Sequence, residues 1–257
     1  MPQRSPINFW LLLAATICVD AVLMASKYAE AHRHIGSFFV ALVFGQLSAL
    51  CVWASFASRQ QFVRAMVPFA FSIAAALWMG LARPRSVPQI SFEQLVLAYS
   101  GLWLTHAAGL MSLLWALKRT KYGRRWSYPV EAGIWQFSIK HMLVVMTTLA
   151  VLIFILRSAD LIQEGWLWVV ILIANNVGLA LGCVLIQGTA WHVVVRLAAI
   201  AAVALLFAAL PYVIRNWAGV FAENLIHAFV LFLWLEVGGI MPARRPANAV
   251  ATEGASQ

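Results

Sequence analysis

Residues 166–187 read WLWVVILIANNVGLALGCVLIQ, without a single Asp, Glu, Lys or Arg. At a rise of about 1.5 Å per residue, a helix of this length covers the roughly 30 Å of a bilayer's hydrocarbon core. Backbone polar groups in lipid have to pair within the protein, so the choice lies between a helix and a closed barrel. A barrel strand would alternate apolar and polar positions over about ten residues. This run is continuously apolar but for Asn175, Asn176 and Gln187, which predicts a membrane-spanning helix.

Working outward, runs of the same kind recur on both sides. The predicted spans are 9–26, 37–56, 62–82, 95–117, 137–156, 166–187, 193–213 and 218–240. The fold class expected is therefore all-α, a polytopic transmembrane bundle of about eight spans. It forms one domain over residues 1–240, with a tail at 241–257 whose Ala, Pro and polar content predicts disorder. Pro68 and Pro211 fall inside the third and seventh spans and each removes one helix hydrogen bond. Seven spans result if residues 1–31 form a cleaved signal peptide, for which Arg4, the apolar stretch and the Ala29-Glu30-Ala31 triplet supply the pattern. The length of that apolar stretch and Asp20 within it argue for a retained span.

Composition agrees. Of 257 residues, 63% are apolar and 11% charged, against about 25% charged in soluble domains. The net charge of +9 does not predict a nucleic-acid partner, because the Lys and Arg sit in the short connections between spans. With the N-terminus inside, the inner connections hold twelve of the 18 basic residues and the outer ones six, so both termini are expected in the cytoplasm. Cys18, Cys51 and Cys183 lie inside spans with no C-x-x-C pair or Cys/His cluster, and read as small buried apolar residues. No P-loop, dinucleotide fingerprint or nucleophile elbow occurs.

The inner loop at 118–135 interleaves Lys118, Arg119, Lys121, Arg124 and Arg125 with Tyr122, Trp126, Tyr128 and Trp135. Basic and aromatic side chains at a bilayer edge fix topology and contact anionic lipid headgroups. Just beyond it, Gln136-Phe137-Ser138-Ile139-Lys140-His141-Met142-Leu143, followed by Thr147-Thr148-Leu149-Ala150-Val151-Leu152, resembles a segment of many uncharacterised bacterial membrane proteins. The resemblance implies a bacterial membrane protein and assigns no site residues; with the apolar spans, the location expected is the bacterial cytoplasmic (inner) membrane, crossed several times.

Ionisable side chains within spans are costly, about 2.5–3.5 kcal/mol at the centre, and so mark candidate sites. Asp20, His106, Asn175 and His227 all lie about 14–17 Å into their spans, near the midplane. A layer of this kind suits a proton relay, a metal site or a haem pocket; it also suits hydrogen bonds that hold helices together. Glu223 stands one turn before His227 on the same helix face and is placed to orient the imidazole. His106 and His227 share a Leu-x-His-Ala context (Leu104–Ala107, Leu225–Ala228), which suggests a parallel four-plus-four repeat. Glu93 and Glu236, near span ends, are expected to be solvated.

The function expected is a non-catalytic permease-like, assembly or sensor component, with no cofactor and with unidentified membrane subunits as its partners besides lipid. The rival expectation is a membrane redox protein in which His106 and His227 hold a haem or a metal.

Overall fold

The computed structural model describes residues 14–22, 33–56, 61–81, 91–120, 166–189, 191–208 and 217–237. Among them every regular element is an α-helix: α1 over 14–22, α2 Arg33–Phe56, α3 Gln61–Leu81, α4 Phe92–Arg119, α5 Trp166–Gln187, α6 Val193–Ala208 and α7 Trp217–Glu236. Four stretches, Phe38–Phe56, Arg64–Leu81, Phe92–Arg119 and Val170–Gln187, are long and apolar enough to cross a membrane. The expected stretch at 137–156, the loop beyond Thr120 and the tail at 241–257 lie outside the described residues, and the first expected span is described only over 14–22.

The helix ends follow from local chemistry. α5 coincides with the expected 166–187, whereas α4 begins before the expected residue 95. A capping box sets that start: Ser91 Oγ accepts from the Gln94 N–H at 3.1 Å, and Gln94 Oε1 accepts from the Ser91 N–H at 2.9 Å. α3 runs through Pro68, whose carbonyl accepts from Ser72 Oγ at 2.8 Å. At the far end of α4, Lys118 Nζ donates to the Ser55 carbonyl at 3.2 Å, supplying a partner for the last turn of α2.

These contacts fix directions. Ser48 meets His106 and Ser55 meets Lys118, so α2 and α4 run parallel, with α3 returning between them. Asn176 meets His227 and Asn175 meets Asn224, so α5 and α7 also run parallel. α6 returns between them, because Arg196 at its start meets Gln187 and Glu236 at the ends of α5 and α7. The described helices thus form two units of three, α2–α4 and α5–α7. They join where α2 packs on α7 and α4 on α5.

The two units repeat one another. Leu47, Cys51, Val52 and, further on, Val63-Arg64 recur at the same spacings as Leu179, Cys183, Val184 and Val195-Arg196. In the third helix of each unit, His106, Ala107, Leu110 and Leu114 match His227, Ala228, Leu231 and Leu235, all eight of them fully buried. The junctions match as well. Gly45 of α2 lies against Val230 of α7, and in the equivalent place Val177 of α5 lies against Gly109 of α4.

The repeat is inverted. Gly45 meets Val230, while Ser48, one turn later, reaches His227, one turn earlier, so α2 and α7 run in opposite directions. The matched contacts thus relate the two units in opposite directions across the seam. This corrects the parallel arrangement expected from the Leu-x-His-Ala match. α4 therefore leaves the bundle and α5 enters it at the same end.

Gly45 is required by this packing. A Cβ there would sit 2.7 Å from Val230 Cβ and 2.9 Å from the His227 carbonyl, whereas one on Gly109 would meet Val177 at an ordinary 3.7 Å. Gly45→Ala is expected to cost about 1–3 kcal/mol by overpacking, and Gly109→Ala to leave stability unchanged or slightly higher. Thermal unfolding of the two variants in detergent checks this; equal midpoints would contradict the close approach of α2 and α7.

Candidate functional site

Ser48, on the most buried helix, stands between the two units. Its Oγ lies 3.0 Å from His106 Nε2 and 3.0 Å from His227 Nε2, and all three residues are fully buried. His227 Nδ1 lies 2.8 Å from Asn176 Oδ1, and Asn176 Nδ2 donates to the Leu172 carbonyl at 2.8 Å. Four polar side chains from four helices thus form one buried chain.

Its hydrogens have only one consistent placement when both rings are neutral. The Leu172 carbonyl can only accept, so Asn176 presents its amide nitrogen there and its oxygen to His227. His227 Nδ1 is then the N–H donor and its Nε2 a bare acceptor. Ser48 has a single proton and gives it to that Nε2, so Ser48 Oγ accepts from an N–H on His106 Nε2. The chain reads His106 Nε2–H, Ser48 O–H, His227 Nε2, then His227 Nδ1–H to Asn176. His106 Nδ1 is left with a lone pair and no partner among the described residues.

The repeat explains that gap. The position in the first unit equivalent to Asn176 is Phe44, whose ring packs edge-on against His106 at 4.9 Å and stacks on His227 at 6.0 Å. At this level the second unit carries Asn175, Asn176 and Asn224, and the first carries Val43, Phe44 and Trp103. Asn175 Nδ2 donates to Asn224 Oδ1 at 2.9 Å, and Asn224 Nδ2 to the Ala204 carbonyl at 3.3 Å, which ties α5, α7 and α6 together. One face of the histidine pair is amide-lined and the other aromatic.

Of the residues singled out from sequence, His106 and His227 meet, with ring centroids 6.1 Å apart. Asn175 belongs to the adjoining amide chain. Asp20 is half-buried and takes both carboxylate contacts from Gln46 Nε2, each at 3.1 Å, so it joins α1 to α2 rather than the histidines. Glu223 is half-buried on α7. Both ring nitrogens of His227 are engaged by Ser48 and Asn176, so the orienting role expected of Glu223 falls to Asn176. Glu93 is exposed as expected, whereas Glu236 pairs with Arg196 instead of facing solvent. Cys51 and Cys183 are buried as expected; Cys18 faces outward. Of the headgroup loop, Lys118 and Arg119 are described, at the end of α4, and Lys121, Arg124, Arg125 and Trp126 are not.

Ser48, Asn176, Asn224 and Phe44 escaped the sequence analysis. Ser48 lies as deep in its span as His106 does in its own, and depth was the one signal that marked it.

The two Nε2 atoms converge on a hydroxyl, not on an open slot. A metal between them would have to displace Ser48 Oγ and draw each nitrogen in to about 2.0–2.1 Å. Among the described residues no three His, Cys, Asp or Glu side chains gather at metal-binding distance. No known protein family, curated protein or solved structure matches the chain.

Ser48→Ala removes both bridging hydrogen bonds and strands two imidazole nitrogens in the interior. Membrane hydrogen bonds are commonly worth about 0.6 kcal/mol, but this loss counts twice and adds desolvated groups. The expected loss is about 1–2 kcal/mol, read as a lowered unfolding midpoint in detergent. Wild-type stability in this variant would contradict the bridge.

Proposed function

We propose that this chain is a non-catalytic, permease-like component of a bacterial cytoplasmic membrane, with its functional site at the seam between two inverted three-helix units. The observation that carries this is the meeting of His106 and His227, equivalent residues of the two units, on Ser48 at membrane depth. In transporters built from inverted repeats, substrate and coupling-ion sites lie near the midplane at the repeat interface, and rocking of one repeat on the other alternates access. An assembly or sensor component would also bury polar groups, but would not need them at the seam where units move.

By the positive-inside rule the N-terminus and the basic stretch from Lys118 lie on the cytoplasmic side. Lys118 and Arg119, at the end of α4, then lie at the headgroups, where contact with anionic lipid fits their charge.

Alternating access is testable without a substrate. In a background with Cys18, Cys51 and Cys183 replaced by Ala, Ser48→Cys is treated with a membrane-impermeant thiol reagent from either side of reconstituted vesicles. Labelling from both sides is expected. A thiol that reacts from neither side, in a protein that stays folded, would make the seam a static lock and end the permease-like proposal.

A further inference from the structure

The geometry points to a one-proton relay across the seam: a proton taken up at His106 Nδ1 is passed through Ser48 and held on His227. This deepens the permease-like proposal and rests on it, because it names the proton as the ion that the site takes.

Three observations converge. First, the hydrogen-bond chain is polarised: in the placement above every donor points from His106 towards His227, and of its four side chains His106 Nδ1, fully buried, is left without a partner among the described residues. Second, the chain is closed at its other end, because Asn176 Oδ1 accepts a hydrogen bond but is far too weak a base to take the proton on. Third, the surroundings favour charge at that end. Asn176 Oδ1 accepts from the His227 Nδ1–H and keeps that bond when the ring is charged, whereas His106 Nδ1 has no such acceptor among the described residues.

The transfer balances. A proton delivered by hydronium, which leaves as water, adds to the Nδ1 lone pair of His106. That ring gives its Nε2 proton to Ser48 Oγ as Ser48 gives its own to His227 Nε2. His106 ends neutral with its hydrogen on Nδ1, Ser48 is restored, and His227 ends as an imidazolium, with Nδ1–H on Asn176 and Nε2–H on Ser48. No other reactant is required. Return of the chain to its first state needs release of the proton and the reverse shift through Ser48.

The neighbouring groups permit this. From α2 the titratable group nearby is Cys51, whose Sγ donates to the Ala107 carbonyl at 3.9 Å. α1 contributes Asp20, engaged by Gln46. α7 contributes Glu223, one turn before His227. α5 carries Cys183 and no acid, Lys, Arg or His. α3 and α6 bring Arg64 and Arg196 at their ends: the former lies over the Trp53 ring at 5.0 Å, and the latter pairs with Glu236. Among the described residues, α2, α4, α5 and α7 carry no Lys or Arg within two turns of Ser48, His106, Asn176 or His227 in sequence.

Phe44 gates the entry. Its ring covers His106 where the equivalent Asn176 holds His227, so uptake requires Phe44 to turn or the seam to open.

The test is nitrogen NMR of histidine-labelled protein in bilayers, titrated from neutral to acidic pH. In the wild type, His106 is expected to switch from the Nε2–H to the Nδ1–H tautomer as both His227 nitrogens become protonated. In Ser48→Ala the charge is expected to stay on His106, with His227 neutral. Wild-type spectra in which His106 keeps its Nε2–H tautomer, or in which His227 stays neutral while His106 charges, would overturn the relay. The outcome is separable from the transport proposal: position 48 reachable from both sides with no tautomer switch leaves a permease that does not use this proton, and the switch without access leaves a relay in a protein that does not transport.

Discussion

An imidazole at the centre of a bilayer has no water to bond with, so its partners have to come from neighbouring helices. That constraint organises this bundle. Ser48 satisfies His106 from one unit and His227 from the other with a single oxygen, which brings α2, α4 and α7 together at one level. α2 can approach α7 closely enough for this only because position 45 carries no side chain. Burial of Leu47, Cys51, Leu110, Leu179 and Leu231 around the chain then fills the seam. In lipid this packing supplies the association energy that the hydrophobic effect supplies in water.

The inverted repeat gives the site its symmetry, and substitutions within the repeat break it. Equivalent histidines occupy equivalent places and both pack on Phe44, but only His227 has an amide partner on Nδ1 among the described residues. A symmetric seam would offer two identical acceptors and no direction. Here the single serine and the single asparagine fix which imidazole donates and which accepts. The ends of the units differ in the same manner. Arg196 is held by Gln187 and Glu236, whereas its counterpart Arg64 lies over the Trp53 ring. Arg196 thus has polar partners where Arg64 has an aromatic one.

Much of this was legible in the sequence. Apolar runs gave the helix at 166–187 to the residue and the one at 62–82 to within one, whereas α2 begins four residues before the expected 37. Depth counting placed His106 and His227 on one level, and the shared Leu-x-His-Ala context pointed to a repeat. The orientation of that repeat was not legible, because matched residues along a chain are the same for parallel and inverted units. Only the crossed register of Gly45–Val230 and Ser48–His227 separates them. Ser48 and Asn176 stayed hidden for a related reason: a serine or asparagine in a span is ordinary until the histidine it faces is known. Glu223 was chosen by helical spacing alone, and spacing within one helix says nothing of a better partner on the next.

The antiparallel seam between α2 and α7 is the premise on which site, topology and relay all stand. Disulfide crosslinking tests it most directly, in a background with the three native cysteines replaced. Gly45→Cys with Val230→Cys anchors the contact. One turn away, the antiparallel register pairs Ala41 with Trp234, and a parallel register would pair Ala41 with Ile226. Crosslinking of Ala41→Cys with Trp234→Cys, and none with Ile226→Cys, is the expected result. The opposite pattern would contradict the inverted repeat and the seam built on it.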